Sequence, residues 1–272
     1  MKETVLITGN KGFIGSYIEK TLSDHYHTLG LSRAEGYDIT DYHSLNKLDS
    51  NIDIIIHTAA IASDDYERSF GTNVTGTLNL CKYAKEKGIK RFVLLSSIFS
   101  FDKSDNGYFN SYGQTKKTSE EVATAYCKEN GIDLSILRLA QVYDDARLAQ
   151  SGQAMLYYFI DTIQTQGQIN LFGRTNPLRN YIHIDYLCDV VAEVLTQKKT
   201  GTWNIIEEKS HTIAEIAYML FDVLEKQPNI SRLLDKANIP SVHIPYDRIY
   251  HSNTLSPIPL IDGMKRILNH DK

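Results

Sequence analysis

A short apolar segment near the start of the chain leads directly into a glycine-rich loop. Residues 4–9 read as a buried strand, three glycines (Gly9, Gly12 and Gly15) follow at a spacing of three, and residues 13–24 have the pattern of a helix. Gly9 permits a tight turn, Gly12 lets a pyrophosphate approach the backbone, and Gly15 lets the helix pack close to the strand. The N–H groups at the start of such a helix favour an anion. A glycine-rich turn between two ordinary elements would look the same locally, so the surrounding sequence has to separate the two interpretations.

Strands and helices alternate through the first half of the chain. Consecutive isoleucines at 54–56 suit a strand that is covered on both faces. The later strands are predicted at 27–32, 53–60, 91–97 and 133–143, and further helices at 73–88 and 111–131. The alternation predicts an α/β fold with a doubly wound parallel sheet of the Rossmann type, which binds its ligand at the carboxyl ends of the strands.

The pattern becomes less regular after about residue 145. Helical patterns cover 157–164 and 212–226, strand-like patterns cover 169–173 and 180–184, and "WNII" at 203–206 reads as a late strand of the main sheet. We therefore expect a smaller C-terminal lobe beside the sheet domain. The expected domains are 1–145 plus about 178–206 for the sheet, and about 146–177 plus 207–272 for the lobe.

Composition and charge argue against several classes of protein. The net charge of −4 comes without a long basic block, so neither a nucleic acid nor an anionic membrane is an expected partner. No apolar stretch approaches the ~20 residues that span a bilayer. The nine histidines show no metal-ligand spacing, and we expect no metal site. His183, between two isoleucines, reads as a structural core residue.

The cysteines and the N-terminus are typical of a cytoplasmic protein. Cys81, Cys127 and Cys188 are far apart and odd in number, which fits reduced thiols better than a disulfide framework. The first strand begins after only three residues, which leaves no room for a signal peptide. We therefore expect a cytoplasmic location.

Tyr112 and Lys116 form a pair that could move a proton. They stand four residues apart on a predicted helix and so share one face. A free tyrosine has a pKa near ~10, too high for acid–base work at neutral pH, and a nearby ammonium lowers that pKa. With 17 tyrosines in the chain, a chance Tyr-x-x-x-Lys is easily found, and in isolation the pair would read as a surface feature. Its place between the fourth and fifth predicted strands favours catalysis.

The motifs occur in an order that is found in a known superfamily. The glycine loop has the spacing Thr-Gly-x-x-Gly-x-x-Gly, and the other matching segments are "DIT" at 38–40, "HTAA" at 57–60, "NVTGTLNL" at 73–80, "SS" at 96–97, "YGQTK" at 112–116, "LRLAQVY" at 137–143, "RNYIHIDYL" at 179–187 and "TWNI" at 202–205. From about residue 4 to 220 the chain resembles the extended short-chain dehydrogenase/reductase superfamily. Within it, the resemblance is to the NAD(P)-dependent epimerase/dehydratase family, which includes nucleotide-sugar epimerases and dTDP-4-dehydrorhamnose reductases.

The resemblance implies a catalytic unit of Ser97, Tyr112 and Lys116. Tyr112 would exchange a proton with a substrate hydroxyl or ketone while hydride moves to or from a nicotinamide. Lys116 would lower the tyrosine pKa and hold the nicotinamide ribose. Ser97, with Ser96 as the next choice, would hydrogen-bond the same substrate oxygen.

The resemblance also implies a cofactor site in the sheet domain and a substrate site in the lobe. Gln141 falls where relatives use an amide near the substrate, and Arg179 where they use an arginine on the substrate diphosphate. The implied cofactor-binding residues are Gly9, Lys11, Gly12, Phe13, Ile14, Gly15, Arg33, Asp38, Ile39, Ala59, Ala60, Asn73, Tyr112 and Lys116.

The chain departs from the family pattern near the expected substrate pocket. The family often has Tyr-Gly at two places where this chain has Phe101-Asp102 and Asp144-Asp145. Dehydratases of the family carry Asp-Glu directly after the serine, whereas residues 98–99 here are Ile and Phe and cannot move a proton. These differences leave the substrate open and argue against dehydration.

The expected function is an NAD(P)-dependent oxidoreductase that moves hydride to or from a sugar carbon, with a nucleotide-linked sugar as substrate. "LSRAEGYDITD" at 31–41 resembles dTDP-4-dehydrorhamnose reductases and favours a reductase. One alternative is a nucleotide-sugar 4-epimerase that retains NAD. Another is a non-catalytic NAD(P)-sensing regulatory protein, although such proteins usually lack the Tyr/Lys pair. A homodimer is expected.

The end of the second strand favours NADP(H), with NAD(H) as the alternative. Proteins that bind NAD(H), whose ribose has a free 2′-hydroxyl, place a carboxylate there, about 20 residues past the glycine loop. Here the strand ends in Ser32 and Arg33, and Lys11 adds a second positive charge from the loop. An arginine can pair with a 2′-phosphate through two hydrogen bonds. Glu35 or Asp38 could instead fold back and bind the plain ribose.

Overall fold

The computed structural model describes residues 2–48, 51–63, 65–102 and 107–271. The chain divides into two compact units. The first unit comprises residues 1–102, 109–139 and 188–204, and the second comprises 103–108, 140–187 and 205–272. Relative to the expected domains, residues 107–108, 140–145, 178–187 and 205–206 group with the second unit instead of the sheet unit.

The described residues form the following elements, in chain order. The strands are β1 Thr4–Thr8, β2 His27–Leu31, β3 Ile54–His57, β4 Arg91–Ser97, β5 Asp133–Leu139, β6 Gln141–Tyr143, β7 Ile169–Phe172, β8 Leu178–Arg179, β9 Tyr181–His183, β10 Gly201–Ile205, β11 His211–Thr212 and β12 Ile230–Leu233. The helices are α1 Phe13–Leu22, α2 Tyr42–Leu45, α3 Tyr66–Phe70, α4 Gly76–Glu86, α5 Ser111–Asn130, α6 Ala154–Gln166, α7 Ile184–Thr196, α8 Ile213–Val223 and α9 Leu260–His270.

A six-stranded sheet organises the first unit. Its strands lie in the order β10-β5-β4-β3-β1-β2, and the pairs β2–β1, β1–β3, β3–β4 and β4–β5 are all parallel. From β1 the chain continues to β2 on one side and then to β3 on the other. This reversal opens a crevice at the carboxyl ends of β1 and β3, where doubly wound sheets bind ligands. The predicted fold class is therefore confirmed.

The sheet is covered by apolar side chains on both faces. Ile54, Ile55 and Ile56 of β3 are fully buried, as the run of isoleucines predicted. One face packs against α4 and α5, where Cys81 and Cys127 belong to the same buried cluster as Leu6 and Phe92. Burial of such side chains supplies most of the favourable free energy of folding.

Two of the predicted strands end at least three residues earlier than their patterns suggested. The predicted strand 133–143 ends at Leu139. The Ala140 N–H still bonds the carbonyl of Ile205 in β10, but the Gln141 N–H bonds the carbonyl of Asn180, outside the main sheet. Residues 141–143 then form β6, which pairs with β9 and not with the main sheet. The predicted strand 53–60 ends at His57.

Several helices also differ from prediction. The predicted helix 73–88 is preceded by a π-helical turn at Gly71–Thr75, and the α-helical part is Gly76–Glu86. The helices α7 and α9 were not predicted. None of the helices among the described residues is both long and apolar enough to cross a bilayer.

The second unit contains three two-stranded sheets and several helices. The sheets pair β11 with β8, β12 with β7 and β6 with β9. Tyr143 at the end of β6 is fully buried, and Gly263 of α9 leaves space for its hydroxyl, since an added Cβ there would lie 1.8 Å from that oxygen. Within the described ranges, no three His, Cys, Asp or Glu side chains form a group that could hold a metal ion.

Candidate active site

In the glycine loop between β1 and α1, the backbone passes close to other backbone segments. Gly9 has a φ of +71°, a left-handed conformation that favours glycine, and an added Cβ would lie 2.9 Å from Ala59 Cα. At Gly15 an added Cβ would lie 2.3 Å from the Gly9 carbonyl oxygen. The Gly12 N–H closes the loop on that same oxygen at 2.8 Å. The roles predicted for Gly9 and Gly15 therefore have a steric basis.

The residues of this loop fit a dinucleotide. Gly12 is the N-cap of α1, and no side chain among the described residues caps this helix. The positive end of the helix dipole and the N–H groups of Phe13 and Ile14 are thus available to an anion. A pyrophosphate is the group that such a helix N-terminus accepts.

A carboxylate turns back toward the loop from the segment after β2. Glu35 accepts hydrogen bonds from Ser32 Oγ at 2.8 Å and from Asn10 Nδ2 at 3.3 Å, and it pairs with Lys11 Nζ at 3.3 Å. Burial acts to raise the pKa of Glu35, but the bonds from Ser32, Asn10 and Lys11 outweigh burial and hold the pKa below its ordinary value. Gly30 of β2 leaves space for the Asn10 side chain, because a Cβ added to Gly30 would lie 1.8 Å from Asn10 Nδ2. The structure thus brings a carboxylate to Lys11.

The other predicted cation on this side, Arg33, is also paired. Its Nε lies 3.7 Å from Asp38 Oδ2, its Nη2 donates to Thr72 Oγ1 at 3.1 Å, and its side chain is half exposed. Burial acts to raise the pKa of Asp38, but hydrogen bonds from Thr40 and the charge of Arg33 hold it below its ordinary value. Ile39 is a core residue. Its side chain packs against Gly76, where an added Cβ would lie 2.6 Å from Ile39 Cδ1.

The turn after β3 is fixed by Thr8 and Asn73. Thr58 Oγ1 donates to the Thr8 carbonyl at 2.6 Å, so the predicted Ala59–Ala60 segment leaves the sheet beside the glycine loop. Asn73 accepts from the Ile61 N–H and donates to the Ile61 carbonyl, both at 2.9 Å, and it also donates to Thr115 Oγ1 of α5 at 2.9 Å. Asn73 lies in the π-helical turn, a feature that is frequent at functional sites.

Ser97, Tyr112 and Lys116 come together at the carboxyl end of β4. The Ser97 hydroxyl lies near that of Tyr112 and acts to lower the Tyr112 pKa. Packing around the Tyr112 hydroxyl outweighs this effect and raises the pKa to about 12. The Ser97 oxygen also accepts from the Phe99 N–H at 3.1 Å, which starts the 3₁₀ turn that follows.

Lys116 is buried and held against β4. Its Nζ donates to the Leu95 carbonyl at 2.6 Å. Burial lowers the pKa of Lys116 to about 8, and the charge of Glu120, one turn further along α5, acts to raise it. The positions of Tyr112 and Lys116 follow from α5 itself, which begins at an Asn110 cap and ends at Gly131.

A buried histidine connects the first and third strands to this region. His57 Nδ1 lies 2.7 Å from Thr8 Oγ1, and its Nε2 lies 3.0 Å from Thr77 Oγ1. Burial, together with the charge of Lys116, lowers the pKa of His57 to about 3. The ring is therefore neutral, and its two nitrogens contact Thr8 of β1 and Thr77 of α4, one each.

The predicted substrate residues Gln141 and Arg179 lie in the second unit. The Arg179 guanidinium is buried and donates to the Leu178 and Pro240 carbonyls at 2.7 and 3.0 Å and to Tyr108 Oη at 2.7 Å. Gln141 Nε2 donates to Gln153 Oε1 at 3.0 Å. Within the described part of the chain, Gln141 Oε1 is buried without a hydrogen-bond partner, so it could accept from a ligand.

His183 is buried in the second unit with both ring nitrogens engaged. Its Nε2 lies 2.9 Å from Asp145 Oδ1, and its Nδ1 accepts from the Asp185 N–H at 3.2 Å. A structural role for His183, as expected from the sequence, agrees with these contacts.

Sequence reasoning missed Glu120, Asn10 and His57. Glu120 stands four residues after Lys116, so helix periodicity could have placed its carboxylate near the Lys116 ammonium. No local pattern distinguishes Asn10 or His57. Their contacts reach residues 9 to 49 positions away and depend on the strand order.

Comparisons with known proteins place the chain in a family. The family model for the NAD dependent epimerase/dehydratase family matches residues 5–205. A putative UDP-glucose 4-epimerase of Methanocaldococcus jannaschii is 25% identical over 303 residues, with 97% of each chain covered. The UDP-glucuronic acid decarboxylase 1 of Danio rerio is 21% identical over 273 residues, which cover 88% of this chain and 65% of that protein.

The fold is also that of solved structures. The dTDP-4-dehydrorhamnose reductase of Bacillus anthracis in complex with NADP matches with a TM-score of 0.77 and 19% identity, covering 99% of this chain and 98% of that one. At this identity the likeness concerns the fold alone, whereas the family model spans most of the sequence and includes the glycine loop and the Tyr/Lys pair. The chain therefore belongs to the NAD dependent epimerase/dehydratase family of the extended short-chain dehydrogenase/reductases.

Proposed function

We propose that this protein is an NAD(P)-dependent oxidoreductase that reduces a keto group on a nucleotide-linked sugar. The observation that carries the proposal is the cluster of Ser97, Tyr112 and Lys116 at the carboxyl end of β4, in the same unit as the glycine loop. The names of its relatives and structural neighbours concern UDP and dTDP sugars, which supports a nucleotide sugar as substrate. The experiment that tests the proposal is turnover of such sugars with a reduced nicotinamide.

The chain's own residues account for binding of the cofactor and for movement of the proton. The bound nicotinamide supplies the hydride of the reaction. The glycine loop and the N-terminus of α1 hold the pyrophosphate, and the turn at Ala59–Ala60 borders the same crevice. Ser97 orients the substrate oxygen, and Tyr112 donates a proton to it.

The protonation states of Tyr112 and Lys116 support reduction. The pKa of Tyr112 is raised to about 12 and not lowered as expected, so the tyrosine carries its proton at neutral pH, the state from which a ketone is protonated. Lys116, with a pKa of about 8, is mostly an ammonium there and stabilises the phenolate that donation leaves behind. A cycle that begins by oxidation, as in a 4-epimerase, would need the phenolate first.

The alternatives differ in what happens to the cofactor. A 4-epimerase would retain NAD, oxidise the sugar and reduce it again on the other face, and the UDP-glucose 4-epimerase relative supports this second candidate. A non-catalytic NAD(P) sensor would bind the cofactor without turnover. In either enzyme Arg179 would hold the diphosphate by exchanging its bonds to Tyr108 and Pro240 for bonds to phosphate.

Ser97→Ala should lower turnover by about 100-fold, whereas Ser96→Ala should lower it much less. The reason is that successive side chains of a strand point to opposite faces, and of the two serines Ser97 is the one that acts on the Tyr112 hydroxyl. Loss of one donor to a developing charge is of this magnitude. Steady-state kinetics of the two variants, one residue apart, check the assignment. A larger loss in Ser96→Ala would mean that the catalytic serine is Ser96.

We further propose that the cofactor is NADP(H), read by Arg33 and Lys11. Arg33→Ala should lower NADPH affinity by about 10-fold and leave NADH affinity unchanged, because only NADPH has the 2′-phosphate. Glu35→Gln should act in the opposite sense and strengthen NADPH binding, because its carboxylate lies beside Lys11 and repels phosphate. Calorimetric titration of both cofactors checks these values. A wild type that prefers NADH, or an unchanged preference in Arg33→Ala, would contradict NADP(H) and favour the epimerase.

A further inference from the structure

A buried carboxylate that has no role in the proposed proton transfer lies next to the residues of the Ser97–Tyr112–Lys116 cluster. Glu120 is on α5, one helical turn after Lys116, and its side chain is 7% exposed. An ionised carboxylate is taken out of water only when hydrogen bonds and opposite charges replace the lost hydration. The contacts of Glu120 therefore indicate what holds it there.

Three side chains from the sheet side converge on the Glu120 carboxylate. Oε1 accepts from Ser96 Oγ at 2.5 Å and from Ser100 Oγ at 3.0 Å. Arg138 of β5 donates through Nε to Oε1 and Oε2 at 3.0 and 2.9 Å, and through Nη2 to Oε2 at 2.6 Å. The guanidinium carbon lies 4.6 Å from the centre of the Phe101 ring. Both partners are thereby fixed in orientation.

These contacts hold the chain on both sides of Ser97. Ser96 immediately precedes Ser97 at the end of β4, and Ser100 ends the 3₁₀ turn that Ser97 caps. One carboxylate on α5 thus ties down the residues before and after the catalytic serine. Because Tyr112 is on the same helix, the distance between the two hydroxyls depends on this connection.

Glu120 also acts on Lys116, which lies one turn earlier on the same helix. The titratable groups around Lys116 are Glu120 and Tyr112 from its own helix and His57 from β3, while β4 contributes the Leu95 carbonyl. His57 is neutral, since its pKa is about 3. Among these groups Glu120 is the one whose charge acts to raise the pKa of Lys116, so it is the group that favours the charged form of the lysine.

We propose that Glu120 is a positioning residue of this active site, which fixes Ser97 through Ser96 and Ser100 and places its carboxylate one helical turn from Lys116. The inference rests on the proposed function for the roles of Ser97, Tyr112 and Lys116. Stability alone does not account for the Glu120–Arg138 pair, because apolar side chains of similar volume often replace a buried ion pair without loss of stability.

The first test measures the charge of Lys116 without substrate or cofactor. Lysine side chains are labelled with ¹³C next to Nζ, the Lys116 signal is assigned with Lys116→Arg, and its titration is followed by NMR. In Glu120→Gln the midpoint should fall by about 1 pH unit or more, because a nearby opposite charge shifts a pKa by about 1–3 units. Glu121→Gln, which removes the same charge one residue away on the exposed face of α5, should leave the midpoint unchanged.

Glu120→Asp separates charge from reach and keeps the test usable if the glutamine variant does not fold. It retains the carboxylate but withdraws it by one methylene, so the Lys116 midpoint should fall less than in Glu120→Gln. An unchanged midpoint in both variants, or an equal shift in Glu121→Gln, would overturn the inference. These results hold whether or not a substrate is known.

The second test asks whether positioning affects the reaction. In Glu120→Gln kcat should fall by about 10-fold or more with KM nearly unchanged, since a misplacement of about 1 Å can lower a rate about 100-fold. The alkaline limb of the pH profile should move with the Lys116 midpoint. Absence of turnover in the wild type would refute the proposed function and leave the NMR result to decide on Glu120. If Tyr112→Phe is inactive but Glu120→Gln has a normal kcat and an unchanged pH profile, the role of Glu120 is refuted while the proposed function stands.

Discussion

Tyr112→Phe should turn over a nucleotide sugar at least about 100-fold more slowly than the wild type while binding the cofactor with the same affinity. The substitution keeps the ring, which packs edge-on against Phe99 with the centroids 6.4 Å apart. It removes only the hydroxyl that meets Ser97 and would give up the proton. Steady-state kinetics and a calorimetric titration of the cofactor measure the two properties separately.

Tyr126→Phe is the matched control for this variant. Tyr126 lies on the same helix, α5, but packs against the apolar cluster beneath the sheet. Its loss of a hydroxyl should leave turnover within about twofold of the wild type, since surface and peripheral substitutions have small effects. Near-normal turnover in Tyr112→Phe would remove Tyr112 from the mechanism, whatever the control shows.

Gly15→Ala should weaken cofactor binding by about 100-fold or more and lower the melting temperature by several degrees. An added Cβ would lie 2.3 Å from the Gly9 carbonyl oxygen and 2.9 Å from Asn10 Cα. Both contacts are with backbone, so no side-chain rotation relieves them, and α1 has to move away from the loop. Overpacking of this kind destabilises by about 1–3 kcal/mol. Titration with NADPH and thermal unfolding check the two effects.

Gly71→Ala tests whether the effect is specific to the loop. Gly71 has a helical φ of −54°, and among the described residues no heavy atom beyond its own helix and chain neighbours lies within 4 Å of an added Cβ. Alanine there should be neutral or slightly stabilising, because it favours the helix. If Gly15→Ala bound cofactor as tightly as Gly71→Ala, the steric account of the glycine loop would be wrong.

The features that follow from local pattern could be predicted from the sequence. The isoleucines of β3, the glycine loop between β1 and α1, and the four-residue spacing of Tyr112 and Lys116 each depend on periodicity within one element. Alternation of strands and helices then fixes a parallel sheet, and a parallel sheet brings the loop ends to one edge. For this reason the sequence could place Ser97 and Tyr112, 15 residues apart, at the same edge of the sheet.

The features that depend on distant pairing could not be predicted. The strand pattern over 133–143 continues through Ala140, and only the bond from the Gln141 N–H to the Asn180 carbonyl shows where the chain leaves the sheet. The three carbonyl and hydroxyl partners of Arg179 come from 1 to 71 residues away. The Glu35 carboxylate turns back toward the glycine loop because it accepts a hydrogen bond from Asn10 and pairs with Lys11. Side-chain contacts of this kind are set by tertiary packing, for which the local sequence has no signal.

The measurement that tests the central claim most directly is turnover by the wild type of a panel of UDP and dTDP sugars, both keto and hydroxy forms. NADPH or NADH is added, absorbance at about 340 nm follows the nicotinamide, and NMR of the sugar products follows the stereochemistry. We predict stoichiometric oxidation of NADPH with reduction of a keto sugar, and loss of that signal in Tyr112→Phe. Interconversion of two hydroxy sugars without net change in absorbance would contradict reduction in favour of the 4-epimerase. Tight NADPH binding with neither reduction nor epimerisation of any sugar in the panel would contradict the claim that the Ser97–Tyr112–Lys116 cluster is catalytic toward nucleotide sugars.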